Sequence, residues 1–154
     1  MSSAKSSLSA PSSVAADYIV SSLLTVQTRG AGFVDLTSDV DKFLREVRAR
    51  EGAVTLFIRH TSASLTIQEN ADPSVLVDLQ TALSRLAPEN AGWTHDTEGP
   101  DDMPAHIRTA LTQTHLAVPI VNGELALGTW QGIYLFEHRR APHTRELVLH
   151  LIGE

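Results

Sequence analysis

The chain contains no cysteine. That excludes a disulfide framework and thiolate chemistry, and it fits an intracellular setting, with the cytoplasm as the expected location. No apolar run approaches the ~20 residues that span a bilayer as a helix, so no membrane partner is expected. There is no concentrated stripe of Lys and Arg, the footprint of a nucleic-acid binder, so no nucleic-acid partner is expected either. No Walker or dinucleotide glycine fingerprint is present, no serine is flanked as in a nucleophile elbow, and no internal repeat is found. What is there is an ordinary globular composition. The 154 residues are 42% apolar, enough for one domain with a real core and too few for two.

The formal charge of −6 is unevenly spread. Between Ala87 and Met103 stand Glu89, Asp96, Glu98, Asp101 and Asp102, with no Lys or Arg. Elsewhere 13 acids face 12 bases. The acidic segment reads either as a cation-binding loop or as a solvated one. It is long for a loop inside a compact domain, and it carries Trp93, which favours an ordered, functional loop. Residues 1–16 are Ser- and Ala-rich and read as a disordered tail, leaving residues 17–154 as the domain.

Tyr18 to Arg29 reads as a strand with Tyr18, Val20, Leu24 and Val26 on one face. Thr37-Ser38-Asp39 opens a helix, Ser38 as its cap, with Val40, Phe43, Leu44 and Val47 as the apolar stripe and Gly52 beyond its end. Ala53 to Arg59 reads as a buried strand. His60 to Ser64 interrupts it, and Leu65 to Ile67 resumes the pattern. Asp72 and Pro73 start a second helix, as cap and first helical residue, with Leu76, Leu79, Leu83 and Leu86 as its apolar side. A short helix over Pro104 to Thr114 is expected to point Ile107, Ala110 and Leu111 inward. Leu116 to Val121 and Glu124 to Leu127 form a hairpin about Asn122-Gly123. Gly128 to His138 and Arg145 to Ile152 complete the strands, the last with Leu147, Leu149 and Leu151 on one side.

Three polar breaks carry candidate chemistry. His60 to Ser64, with Glu69, Asn70 and Asp72, reads either as an active-site edge or as hydrogen-bonded structure. Trp93 to His106 holds His95, Asp96, Asp101, Asp102 and His106. Imidazoles suit zinc and carboxylates suit magnesium or calcium, yet the spacing matches no dedicated zinc motif. The competing reading is a solvated loop with Asp102 capping the next helix. The third break is Gly128 to Gln131, where Trp130 either plugs the core at a corner or walls a pocket with Gln131. Arg139, Arg140 and Arg145 read as phosphate contacts or as a solvated basic turn.

These same residues carry a resemblance. The run from His60 to Pro73 (HTSASLTIQENADP), His95-Asp96, Asp102 to Ile107 (DMPAHI) and Gly123 to Ile133 (GELALGTWQGI) closely resemble the YjbQ-like family, also called secondary thiamine-phosphate synthases. The resemblance covers roughly Tyr18 to the C-terminus. It implies a single α+β domain, a largely antiparallel β-sandwich flanked by helices, assembled as a homotrimer with sites near subunit boundaries. It implies a weak activity coupling hydroxymethylpyrimidine diphosphate to thiazole phosphate with release of pyrophosphate, so the expected partner is a small phosphorylated molecule. The carried-over residues are His60, Glu69, Asn70 and Asp72 as catalytic groups, and Thr129, Trp130 and Gln131 as substrate-binding groups. His60, His95, His106 and Asp96 are the expected ligands of a divalent metal, Zn or Mg. Many members have Asn where this chain has Met103. On this basis Trp130 and Gln131 become the floor of a pocket shared with the histidines. A metal-dependent phosphoester hydrolase and a non-catalytic small-ligand binder are the alternatives.

Overall fold

The computed structural model describes residues 6–154. Of the Ser-rich tail, residues 1–5 lie outside the described residues, and residues 6–17 are exposed and carry no helix or strand. The elements are β1 (Tyr18–Gln27), β2 (Gly32–Asp35), α1 (Thr37–Glu46), β3 (Gly52–Ile58), β4 (Ala63–Glu69), α2 (Pro73–Leu86), α3 (Asp102–Leu111), β5 (His115–Val121), β6 (Glu124–Leu125), β7 (Gln131–Glu137) and β8 (Thr144–Gly153). They build an α+β domain of two antiparallel sheets. One has the order β1-β8-β3-β5-β6, the other β2-β7-β4. No helix among the described residues is long and apolar enough to cross a membrane.

Strand alternation decides which side chains meet between the sheets. In the larger sheet Val54, Leu56 and Ile58 of β3 stand opposite Leu151, Leu149 and Leu147 of β8, and all six are buried. Leu65 of β4 and Ile133 and Leu135 of β7 face them from the smaller sheet in one continuous core. Val40, Phe43 and Leu44 of α1 join that core, as their spacing predicts. The Asn122-Gly123 turn forms as expected. Both residues have positive φ (53° and 83°), and Val121 pairs with Glu124 across it. That is the handed turn whose twist matches the strands.

Three helix expectations need correction. Ser38 does not cap α1. The helix begins at Thr37, and the Asp35 carboxylate at the end of β2 accepts the Thr37 N–H at 2.8 Å. Helix α2 starts as predicted, Asp72 accepting from Ser74 N at 2.9 Å behind Pro73. None of its residues is fully buried, however, and Leu86 is exposed, because only β4 packs beneath it to any extent. Helix α3 starts two residues early, at Asp102, and buries Asp102, Pro104, Ala105 and Thr109, while Ala110 and Leu111 face outward. Polar anchors choose that face. Asp102 is bound by Arg139, and Thr112 Oγ1 lies 2.7 Å from Ser64 Oγ on β4.

The end of β7 carries a second polar layer. Glu137 is fully buried and receives Arg145 through Nε at 2.7 Å and Nη2 at 2.6 Å. Thr28 Oγ1 and the Arg139 N–H also donate to it. Burial alone would raise the Glu137 carboxyl. The Arg145 hydrogen bonds and charge outweigh that and hold it below the usual carboxylate range. Arg145 is therefore a buried partner within the fold and not part of a solvated turn.

Candidate metal centre

The end of the sandwich where β4 begins and β7 ends gathers three elements. Helix α3 opens with Asp102, and one turn later carries His106 on the same face. The irregular stretch before it brings His95 across the mouth. The ligand-capable atoms of His95, Asp102 and His106 all lie within 4.8 Å of one another. His95 Nε2 is 2.7 Å from Asp102 Oδ2, and His106 Nε2 is 3.4 Å from the same oxygen. The two imidazoles meet edge-on, their ring centres 5.4 Å apart.

The hydrogen bonds fix chemical roles. His106 Nδ1 is 2.9 Å from the Thr61 carbonyl, which can only accept. Nδ1 therefore carries a proton, and Nε2 is the nitrogen that faces the carboxylate, as an N–H in the charged ring or as a lone pair in the neutral one. A lone pair directed at a carboxylate oxygen is unfavourable unless a cation or proton lies between them. Asp102 is 1% exposed and its other oxygen, Oδ1, accepts from Arg139 Nη1. Burial alone would raise its carboxyl. The His95 hydrogen bond and the Arg139 charge prevail and hold it below the ordinary value. Asp101, beside it, is likewise held low against its burial, accepting from Arg140 N at 2.9 Å and Arg139 Nε at 3.2 Å.

The donor set fits a divalent metal. Two imidazole nitrogens and one carboxylate oxygen match the three-ligand catalytic zinc pattern better than an all-oxygen magnesium site. The 3.4 Å separation of His106 Nε2 from Asp102 Oδ2 is about the edge of a tetrahedron with ~2.0–2.1 Å bonds. The His95 contact at 2.7 Å is a hydrogen bond, and His95 would have to move outward to ligate. Both histidines are partly exposed, so the far side of the group opens to solvent.

Other expected residues fall elsewhere. His60 is not in this group. Its Nε2 accepts the Glu146 N–H at 2.8 Å, and burial, then the Arg145 charge, keep the ring neutral by lowering its pKa. Asp96 is exposed and also outside the group, where Asp102 stands instead. Asp72 caps α2. Asn70 pins a turn: its backbone N–H donates to Trp130 O at 3.0 Å, and its Nδ2 lies 3.4 Å from the carbonyls of Thr129 and Gln131. Gln131 closes the same turn by accepting the Gly128 N–H at 2.8 Å. Trp130 is 64% exposed, so it is neither a core plug nor, within one chain, the floor of a pocket.

The register shows why these sets do not merge. In the β4–β7 pairing Ala63 faces Glu137, while Glu69 faces Gln131. The histidine group sits near the first pair, and Glu69, Asn70 and the Thr129–Gln131 turn sit at the second. Six residues of strand separate them, roughly 20 Å at ~3.4 Å each. One chain thus holds two polar centres.

Sequence reasoning named Asp102 only as one carboxylate of the acidic stretch or as a helix cap, chose Asp96 for the ligand set, and missed Arg139 as the partner of Asp102. The Asp102/His106 spacing of four was the available signal. It counts only if both residues are helical, and the helix was expected to start at Pro104.

A sandwich end bearing two histidines and a buried aspartate defines a small α+β protein with a candidate metal centre. The sequence profile described as UPF0047 protein YjbQ-like matches residues 22–154, and the chain belongs to that family. A UPF0047 protein of Synechocystis is 50% identical over 133 residues, covering 86% of this chain and 90% of that one. The UPF0047 protein YjbQ of Escherichia coli O157:H7 is 40% identical over 132 residues, covering 85% of this chain and 96% of that one. The crystal structure of a hypothetical protein from Aeropyrum pernix superposes with a TM-score of 0.80 at 28% identity, covering 88% of this chain and 99% of that one.

Proposed function

We propose that the chain is a divalent-metal-dependent enzyme acting on a small phosphorylated molecule, with His95, Asp102 and His106 holding the metal. The supporting observation is the convergence of three ligand atoms around a buried carboxylate, with solvent on the far side. A bound divalent ion would supply charge neutralisation for phosphate oxygens or activation of a water. The chain's own residues have separate parts. The Thr61 carbonyl fixes the His106 tautomer, Arg139 fixes the Asp102 carboxylate, and the partly exposed imidazoles leave an approach for substrate.

The finer reading is a weak thiamine-phosphate synthase. Expulsion of pyrophosphate from hydroxymethylpyrimidine diphosphate leaves a stabilised benzylic-type cation, which the thiazole phosphate captures. Such a reaction mainly requires holding two reactants together and neutralising the departing diphosphate. The family resemblance supports this reading, with Trp130 stacking on the pyrimidine and Gln131 bonding a ring edge. Those residues lie roughly 20 Å from the histidines in one chain. The reading therefore requires a homotrimer that brings a neighbour's turn to the metal. The trimer itself follows from the family resemblance; self-association is supported by the outer face of the five-stranded sheet, where Ile19, Leu23, Phe57, Val121 and Ile152 are each about half exposed or more. The same 20 Å separation favours a second reading, a phosphoester hydrolase that uses the metal centre without the Trp130 turn. We propose the cytoplasm as the location of either activity, a reading supported by the absence of cysteine from the chain.

One experiment separates them. The protein is incubated with both thiamine precursors, and in parallel with a chromogenic phosphoester, each with and without chelator. A coupling product abolished by chelator supports the synthase. Chelator-sensitive phosphoester turnover without coupling supports the hydrolase. Neither activity, together with no zinc by elemental analysis, refutes both.

A further inference from the structure

We propose that Arg139 is the positioning residue of the metal centre, and that it selects for zinc-type ions by leaving Asp102 a single oxygen to offer. The proposal rests on the metal-centre reading above.

The guanidinium fork of Arg139 binds three acceptors at once. Arg139 follows the end of β7 by two residues, where the chain has just left the sheet. Its Nε donates to Asp101 Oδ2 at 3.2 Å, its Nη1 to Asp102 Oδ1, and its Nη2 to the Glu98 carbonyl at 2.8 Å. One planar group thus grips the end of the acidic loop and the first turn of α3 together. Arg139 is largely buried, its side chain 14% exposed, so its bonds to the two aspartates are partly shielded from water, while the one to the Glu98 carbonyl lies at the surface. Gly99, at φ 109°, lets the loop turn tightly enough to bring the Glu98 carbonyl to Nη2.

Two consequences follow. First, the Asp102 carboxylate cannot rotate freely, because Oδ1 is committed, so Oδ2 is the oxygen directed at both imidazoles. Second, Asp102 is limited to one metal bond. Ions that need six or more oxygens, often with bidentate carboxylates, find too few here. A tetrahedral ion that takes two nitrogens and one oxygen and keeps one open position finds its set complete. Asp101 stands outside the group of converging ligand atoms, and its Oδ2 accepts from Arg139 and from the Arg140 backbone. Lys in place of Arg would present a point charge that cannot span three acceptors. Partners of this kind commonly change metal affinity by ~10–100-fold when removed.

The test uses the full chain as wild type, R139Q, R139K and, as a neighbouring control, R140Q, whose exposed side chain pairs with Glu89 at 3.4 Å. Zinc and calcium affinities are measured by chelator-competition calorimetry. Imidazole nitrogen NMR spectra of metal-free protein are recorded alongside. The expected result is a 10–100-fold loss of zinc affinity in R139Q, partial recovery in R139K, little change in R140Q, and a reduced zinc-to-calcium preference in R139Q. In the metal-free spectra the His95 and His106 signals shift together in R139Q while the other histidines stay in place. Wild-type zinc affinity and unchanged imidazole signals in R139Q would overturn the positioning role. If wild type binds no zinc, the metal-centre reading and the zinc selection fall, and the metal-free spectra decide whether Arg139 orients Asp102. Should R139Q fail to fold, R139K decides by the same two measurements.

Discussion

Replacing His138 with Gln should flatten the acid limb of the stability curve. His138 is 1% exposed at the end of β7, with Ser64 Oγ 2.8 Å from its Nε2 and Phe136 packed on its ring at 4.3 Å. Among the described residues no protein atom partners its Nδ1. Burial first, and then the Arg108 charge, push its pKa down from 6.5 to about 3. The sign follows from proton counting. Between those values the unfolded chain binds a proton that the folded ring refuses, so stability rises with pH from about 3 to 6.5 and is level above. Each pH unit in that window is worth up to roughly 1.4 kcal/mol, and the span from pH 6 to pH 4 roughly 2 to 3 kcal/mol. Urea denaturation at fixed protein concentration, from pH 4 to pH 7.5, measures it. The His138→Gln variant retains an amide that can meet Ser64 but has no proton to take up in this range. Its stability should therefore fall less steeply than wild type below pH 6, the two differing in slope by about one proton. Contributions from Glu137 and the other acids are common to both proteins and cancel in the difference. Parallel curves would mean that His138 titrates normally in the folded protein, and the burial argument would be wrong.

Glu137→Gln should cost about 3–5 kcal/mol at neutral pH, because it leaves the Arg145 guanidinium buried without its counter-charge. The same variant should lose part of wild type's sensitivity to acid, since the stability from a depressed carboxyl is present above its unfolded pKa and disappears as pH falls through the folded one. Leu135→Ala, at a fully buried position of β7, should cost about 2–5 kcal/mol by guanidinium denaturation. Trp130→Ala should change stability by no more than about 0.5 kcal/mol, because the ring is mostly exposed; a loss of several kcal/mol would show that the ring is covered in the native assembly.

Much of the architecture was legible in one dimension because it rests on periodicity and local chemistry. Alternation in β1 and β8 named the core faces correctly, whereas β3, expected to be buried throughout, buries Val54, Leu56 and Ile58 and leaves Phe57 about half exposed. Asn122-Gly123 dictated its turn, and Asp72-Pro73 marked the start of α2. Helix α3 was harder. Its apolar residues suggested a face with Leu111 inward, whereas the ion pair of Asp102 with Arg139, 37 residues away, turned Asp102 and Thr109 inward instead. No local pattern carries that pairing.

The candidate site divides in the same way. The sequence by itself determined which residue types were available: His95, Asp102 and His106 within one acidic stretch, and a Trp130-Gln131 turn far along the chain. Only the tertiary structure decided which of them meet. It set Asp102 in place of Asp96 and gave His60 to the Glu146 backbone. It also put the Trp130 turn at the opposite end of β4 and β7, since antiparallel register fixes distance along a strand. Residue type is a local property of the chain, whereas convergence depends on pairings between distant segments that are settled when the core closes.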